Sequence, residues 1–212
     1  SVKFSLFSAG TSTFSIDELT QAGRPVYKFQ STITSRDGFF YKIDDRGTSL
    51  TDQATFASYR YEKYQNEGGE IENNVTNFNQ TTGRAVRTED GKAHPAMAYV
   101  KAAKDVLAAI YYVRTQNIAV GQTLRFPVHD GKRDYRMDVE VRRREFLRVP
   151  AGEFNCLVVE PKLIQADGKV KTKGQMTLWM TDDARHIPVR IKIVLPFGNI
   201  VASLTSMQGT VS

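Results

Sequence analysis

Short amphipathic stretches separated by turn-forming residues recur from one end of the chain to the other. This rhythm constrains the fold more than any other feature, because it suits strands paired through hairpins and little else. In "RPVYKFQSTIT", Tyr27, Phe29 and Ile33 alternate with polar residues, and the pattern stops at "SRDG". In "FASYRYEKYQ", Tyr59 and Tyr61 alternate with Arg60 and Glu62. In "RDYRMDVEVRRR", Tyr135, Met137, Val139 and Val141 fall on one face, and Arg136, Asp138, Glu140, Arg142 and Arg144 on the other. Turns are signalled by "NEGGE", "TTGRA", "EDGKAHP", "HDGK" and "QADGKVKTKG", where Gly, Asp and Asn tolerate the backbone angles a reversal needs.

One segment breaks the rhythm. Pro95 to Gln116 contains "AYVKAAKDVLAAIYYVRTQ", alanine-rich and free of glycine, with Val106, Leu107, Ile110, Tyr111 and Arg114 at helical spacing. The expectation is one or two helices within about 95–116, with Asp105 placed to cap a second, shorter one. With no repeat, linker or composition break, residues 1–212 read as a single domain. The predicted fold class is mainly β: a strongly curved antiparallel sheet or unclosed barrel packed around the helical segment.

The longest apolar run, "VLAAIYYV", is far below the roughly 20 residues of a membrane-spanning helix, so no membrane span is expected. Cys156 is the only cysteine, which excludes an intrachain disulfide and a cysteine-based zinc site. The net charge of +6 is uneven: residues 132–192 hold 14 Lys/Arg against 9 Asp/Glu, and the remainder 15 against 14. Those charges interleave in sign along a strand and accompany no recognition helix, zinc finger or aromatic RNA-binding motif, so nucleic acid is not an expected partner.

"TLWMTDDARHIPVRIKI" places two adjacent carboxylates, an arginine and a histidine beside the single tryptophan. Asp182, Asp183 and His186 are therefore the candidates for acid–base chemistry. Turn chemistry alone explains them: aspartates bond to nearby backbone N–H groups, and Pro188 suits the start of a strand. The three histidines lie in separate turn-like stretches, so no metal site is expected, and no phosphate loop, dinucleotide fingerprint or nucleophile elbow is present. The reading is a non-enzymatic protein without a cofactor.

Five stretches in order resemble one family: "AGTSTFSI", "RPVYKFQSTITSRDGFF", "DVLAAIYYVRTQNIAVGQTL", "VPAGEFNCLVVEP" and "LWMTDDARHIPVRI...GNIVASL". Together they look like the bacterial exported "domain of unknown function 3108" family, and the likeness covers nearly the whole chain. The resemblance implies an exported, periplasmic protein of the Gram-negative cell envelope with a fold similar in outline to lipoprotein carriers. It implies no catalytic residues. A sheet curved around a helix either has a solid interior or leaves a cleft. The residues expected to line a cleft are Phe39, Phe40, Tyr41, Tyr111, Tyr112 and Trp179, with an apolar or lipid-like molecule as ligand. The alternative is a structural or interaction module that docks an envelope protein through the charged strand Arg136 to Arg144.

Overall fold

The computed structural model describes residues 2–7, 10–35, 42–171, 174–195 and 198–209, and of residues 2–7, 195 and 198 the backbone alone. The strands are β1 (Val2–Phe7), β2 (Gly10–Gln21), β3 (Arg24–Ser35), β4 (Asp44–Asp52), β5 (Ser58–Glu67), β6 (Glu70–Asn79), β7 (Arg84–Glu89), β8 (Lys92–Ala93) and β9 (Met97–Ala98). After the helix α1 (Val106–Arg114) come β10 (Thr123–His129), β11 (Asp134–Val149), β12 (Gly152–Ile164), β13 (Gln175–Thr181), β14 (Pro188–Leu195) and β15 (Gly198–Gln208). Among the described residues these form one antiparallel sheet ordered β10-β11-β12-β13-β14-β15-β1-β2-β3-β4-β5-β6-β7-β8, with β9 also on β7. Almost every strand pairs with its sequence neighbour, as hairpin turn signals demand.

Register and alternation define an inner face. Phe29, Ser49, Tyr61, Thr76 and Arg87 stand opposite one another across β3 to β7, and Leu178, Ile191 and Ala202 across β13 to β15. The helix lies against this face. Leu107, Ala108 and Tyr111 join one apolar cluster with Phe29 and Phe56. Ala109 and Val113 join another with Phe126, Val139, Val141, Leu178 and Met180. Close approach is permitted at Gly47, where an added Cβ would lie 2.8 Å from Ser31 Oγ and 3.0 Å from Leu107 Cδ1.

On β12, Cys156 and Val158 belong to the first cluster and Leu157 and Val159 to the second. All four are nearly inaccessible, so this strand is buried on both faces, which explains its unbroken apolar run. Burial also pushes the Cys156 thiol up to about 11, leaving it protonated and unreactive.

The helical expectation needs one correction of extent: α1 covers 106–114, and 95–104 is not helical. That preceding segment crosses the gap between the two edges of the sheet instead. Tyr99 N donates to Gly83 O, Ser58 N to Ala103 O, Lys104 N to Pro127 O, and His129 N to Lys104 O. Residues 99–104 thus form a strap that joins β10 to β5 and the 80–83 turn. Backbone partners on both sides outcompete the helix that its alanines favour.

Candidate functional site

Asp105 ends the strap and starts the helix. Its Oδ1 accepts from Leu107 N (2.9 Å) and Ala108 N (3.0 Å), and its Oδ2 from Ser49 Oγ (2.5 Å) and Ser58 Oγ (2.6 Å). The carboxylate is fully buried; burial pushes its pKa up, and these four donors pull it back. Beside it Lys104, also buried, donates to Ala102 O and holds its ammonium 4.4 Å from the Tyr112 ring centroid. Burial lowers its pKa.

Aromatic rings fill the space beneath the helix. Phe29 stacks on Tyr111 at 4.0 Å between centroids, and Tyr112 meets Phe126 at 4.8 Å and Phe56 at 5.9 Å, edge to face. Of the residues expected to line a cleft, Tyr111 is buried in this packing and Tyr112 is half-buried between the two clusters. Trp179 is buried too, but alternation places it on the opposite face of β13 from Leu178. The hydroxyl of Tyr111 and the indole N–H of Trp179 are buried with no hydrogen-bond partner among the described residues. Phe39, Phe40 and Tyr41 lie outside the described residues.

The "DDARH" stretch is a hairpin tip that clamps the helix end. Asp183 Oδ1 accepts from Thr181 Oγ1 (2.7 Å) and Arg185 N (3.0 Å), and its Oδ2 from Arg185 Nη2 (2.6 Å). His186 Nδ1 donates to Arg114 O (3.1 Å) at the last turn of α1. Asp182 pairs with Arg144 at 2.6 Å. Asp183 is partly desolvated, which alone would raise its pKa; the bonds from Arg185 and Thr181 outweigh this and hold it at about 2. Its contribution to stability is therefore present above the ordinary carboxylate range and lost as pH falls through about 2. Asp183→Asn should lower the melting temperature at pH 7, with the gap to wild type closing between about pH 4 and pH 2. A gap that stays constant across that window would refute the assignment. Among the described residues, no group of three His, Cys, Asp or Glu side chains is placed to hold a metal ion.

The charged outer strip is neutralised within the sheet: Arg142 pairs with Glu160 (2.7 Å) and Arg143 with Glu145 (2.7 Å). Tyr135, Met137, Val139 and Val141 face inward as the alternation predicts; beyond them a bulge between Val141 and Arg143 resets the pattern.

What the sequence did not reveal is that the helix covers only half of the inner face. Turns at 22–23, 53–57, 80–83, 150–151 and 182–187 share the rim that α1 reaches through His186. Turns at 68–69, 90–91 and 130–133 share the opposite rim. Toward that second rim no described element lies over the face. Met176, Ile193 and Ile200 stand in one cross-strand row on β13 to β15. Met176 and Ile200 are 38% and 49% exposed, and Ile33 on β3 is 42% exposed. Across the trough, β5 to β7 present Lys63, Asn74, Glu72, Arg87 and Glu89 on the same face. Arg87 donates to Asn74 Oδ1 (2.8 Å) and pairs with Glu89. Lys132, from the β10–β11 turn, reaches in to Glu72 at 3.0 Å, and the bond holds that carboxyl below its usual range. At the boundary Asp45 stands directly opposite Ile33, and burial together with the Asp45 carboxylate pushes Glu67 up. The trough is apolar along one wall and charged along the other.

A family model described as "Protein of unknown function (DUF3108)" matches residues 1–205. The chain belongs to the DUF3108 family. The solved structure of a β-barrel-like protein of the domain of unknown function DUF1849 from Brucella abortus superposes with a TM-score of 0.59 at 10% identity, over 98% of this chain and 95% of that one. At such identity the likeness is one of fold: a barrel-like antiparallel sheet. No match is found among the curated proteins. In this DUF3108 member no helix among the described residues is long and apolar enough to cross a membrane.

Proposed function

We propose that this protein is a non-catalytic binding module of the bacterial envelope, exported to the periplasm, which holds an amphiphilic, lipid-like molecule along the open half of its inner face. One observation carries the reading: the trough, which no described element covers, sets exposed Met176, Ile200 and Ile33 opposite the charged group of Arg87, Lys132, Glu72 and Glu89. A chain laid there would cover apolar surface worth about 25 cal/mol per Å² while its head reaches charge. Tyr111 and Trp179 belong to the packed interior, so they would stiffen the wall and not touch such a ligand.

The test is titration of the purified protein with a dansyl-labelled fatty acid, followed by fluorescence. Wild type should bind saturably, and Met176→Asp and Ile200→Asp should each weaken binding at least about tenfold. Both positions are substantially exposed, so the fold should survive both changes. Equal binding by all three proteins, or none by wild type, would overturn the reading.

A further inference from the structure

The turn at 130–133 crosses the seam and seats against Tyr61 and Thr76, which stand opposite one another on β5 and β6. Thr76 Oγ1 donates to Gly131 O at 3.2 Å. A Cβ added to Gly131 would lie 3.3 Å from Thr76 Oγ1 and 3.9 Å from Tyr61 Cδ1, at a φ of +94° that side chains rarely adopt. Asp130 shapes the turn: its Oδ1 accepts from Lys132 N (2.9 Å) and Arg133 N (3.0 Å), and its Oδ2 from Lys171 Nζ (2.9 Å). Seated in this way, the turn delivers Lys132 to Glu72, 3.0 Å away in the charged wall of the trough.

One further bond holds the seat. Gly131 N donates to His129 Nδ1 at 3.0 Å, so the neutral ring carries its proton on Nε2. The ring is buried and lies edge to face against Phe78 (5.1 Å between centroids) and Tyr99 (6.1 Å). Its Nε2 has no hydrogen-bond partner among the described residues. A second proton must therefore go on Nδ1, the atom that accepts from Gly131. The acceptor then becomes a donor facing a donor, with a charge set among aromatic rings. A protonated ring and a seated turn exclude each other.

The groups around the ring fix the sign. Burial depresses its pKa, and the carboxylates of Asp134 and Asp130 on its own hairpin offset only part of this. From the strap, Tyr99 keeps its hydroxyl proton, its pKa pushed up to about 12 by burial and by Asp134. Lys104 gives its backbone oxygen to His129 N and holds its ammonium over the Tyr112 ring. β6 presents the Phe78 ring, and Lys171 meets the hairpin through Asp130. Once the turn lifts and the ring is wetted, its pKa returns to the ordinary imidazole value of about 6.5. The seated turn is thus fully favoured above that value. Below it, the ratio of seated to lifted turn falls by up to about tenfold per pH unit, until the seated ring itself takes a proton.

We propose that His129 is an acid-sensitive latch on the 130–133 turn: protonation of its ring unseats the turn and withdraws Lys132 from Glu72. Its consequence for a ligand rests on the reading of the trough as a lipid-like binding site: acid removes one of the charges that meets the head and loosens the molecule.

The test is NMR of the ligand-free, isotope-labelled full chain between about pH 7.5 and about pH 4.5, which brackets the ordinary imidazole value. The His129 ring nitrogens, the Gly131 amide and the Glu72 carboxyl carbon are followed together. In wild type, ring protonation should coincide with a shift of Glu72 and with at least about tenfold faster exchange of the Gly131 amide. His129→Asn keeps an acceptor for Gly131 that does not titrate in this range, so its turn should stay seated throughout. A ring that stays neutral, or one that protonates while Gly131 and Glu72 are unmoved, would overturn the proposal. So would a turn that lifts at the same pH in His129→Asn. The wild-type titration decides by itself where the smaller side chain costs the fold.

Dansyl-labelled fatty acid then separates the latch from the trough. The loss of affinity between about pH 7.5 and about pH 5.5 should be at least about fivefold greater in wild type than in His129→Asn. Taking that ratio cancels the titration of the ligand's own carboxyl and of His94, which pairs with Glu89. Equal losses in the two proteins would overturn the coupling of latch to ligand. Absence of binding near pH 7.5 would overturn the trough reading alone, because the ligand-free signals judge the latch without it.

Discussion

Replacing Phe29 with alanine should cost about 3–5 kcal/mol of stability, the range for truncating a buried aromatic ring in a close-packed core. Phe29 has no accessible surface. It lies under the helix, stacked on Tyr111 at 4.0 Å and on Phe56 at 6.1 Å. Losing it opens a void that the paired backbones of β2, β3 and β4 are poorly able to close, and removes ring contacts worth a further ~0.5–1.5 kcal/mol each at most. Urea unfolding should show a midpoint shift at unchanged slope. A loss under about 1 kcal/mol would mean that the helix does not depend on this stack, and the account of the interior would fail.

The second large effect is at Asp105. Substitution by alanine deletes the N-cap, worth about 0.5–2 kcal/mol, and leaves the hydroxyls of Ser49 and Ser58 buried without their acceptor. Each orphaned hydroxyl adds a penalty of about 1 kcal/mol or more, so a total near 3 kcal/mol is expected. Asp105→Asn keeps one oxygen for Leu107 N and Ala108 N and should lose roughly half as much. Hydrogen exchange supplies the second readout: the bonds of Lys104 N and His129 N across the seam should open faster in the alanine variant. If Asp105→Ala and Asp105→Asn proved equally mild, the carboxylate would not be the joint between strap and helix.

How far the sequence foretold this protein depends on whether local pattern or distant geometry decides each feature. Alternation in "DYRMDVEV" places Tyr135 to Val141 on the inner face, because a strand's side chains have no other choice. Asp105 reads as a cap from its position before "VLAA", and "DDARH" reads as a turn from its composition. The segment 95–104 misleads because its alanines favour a helix locally, while Ser58, Pro127 and Gly83, all distant in sequence, claim its backbone groups. Trp179 illustrates a different limit. Aromatic character says that it is buried, and only the register says on which face. The trough is the least legible feature: nothing in "QMTLW" or "IKIVL" announces that α1 stops short of Met176 and Ile193, since that depends on where a helix 70 residues away comes to rest.

The strap gives this architecture an unusual freedom. When a barrel closes strand on strand, the number of strands, their tilt and their stagger are locked together, and adding or losing one strand disturbs every other. Here the circumference is completed by the bonds of residues 99–104, not by a ladder between β10 and β7. A change in length at either margin therefore needs only the strap's bonds to be remade. The sheet's perimeter is thus a quantity that evolution can adjust in small increments without rewriting the registers in between.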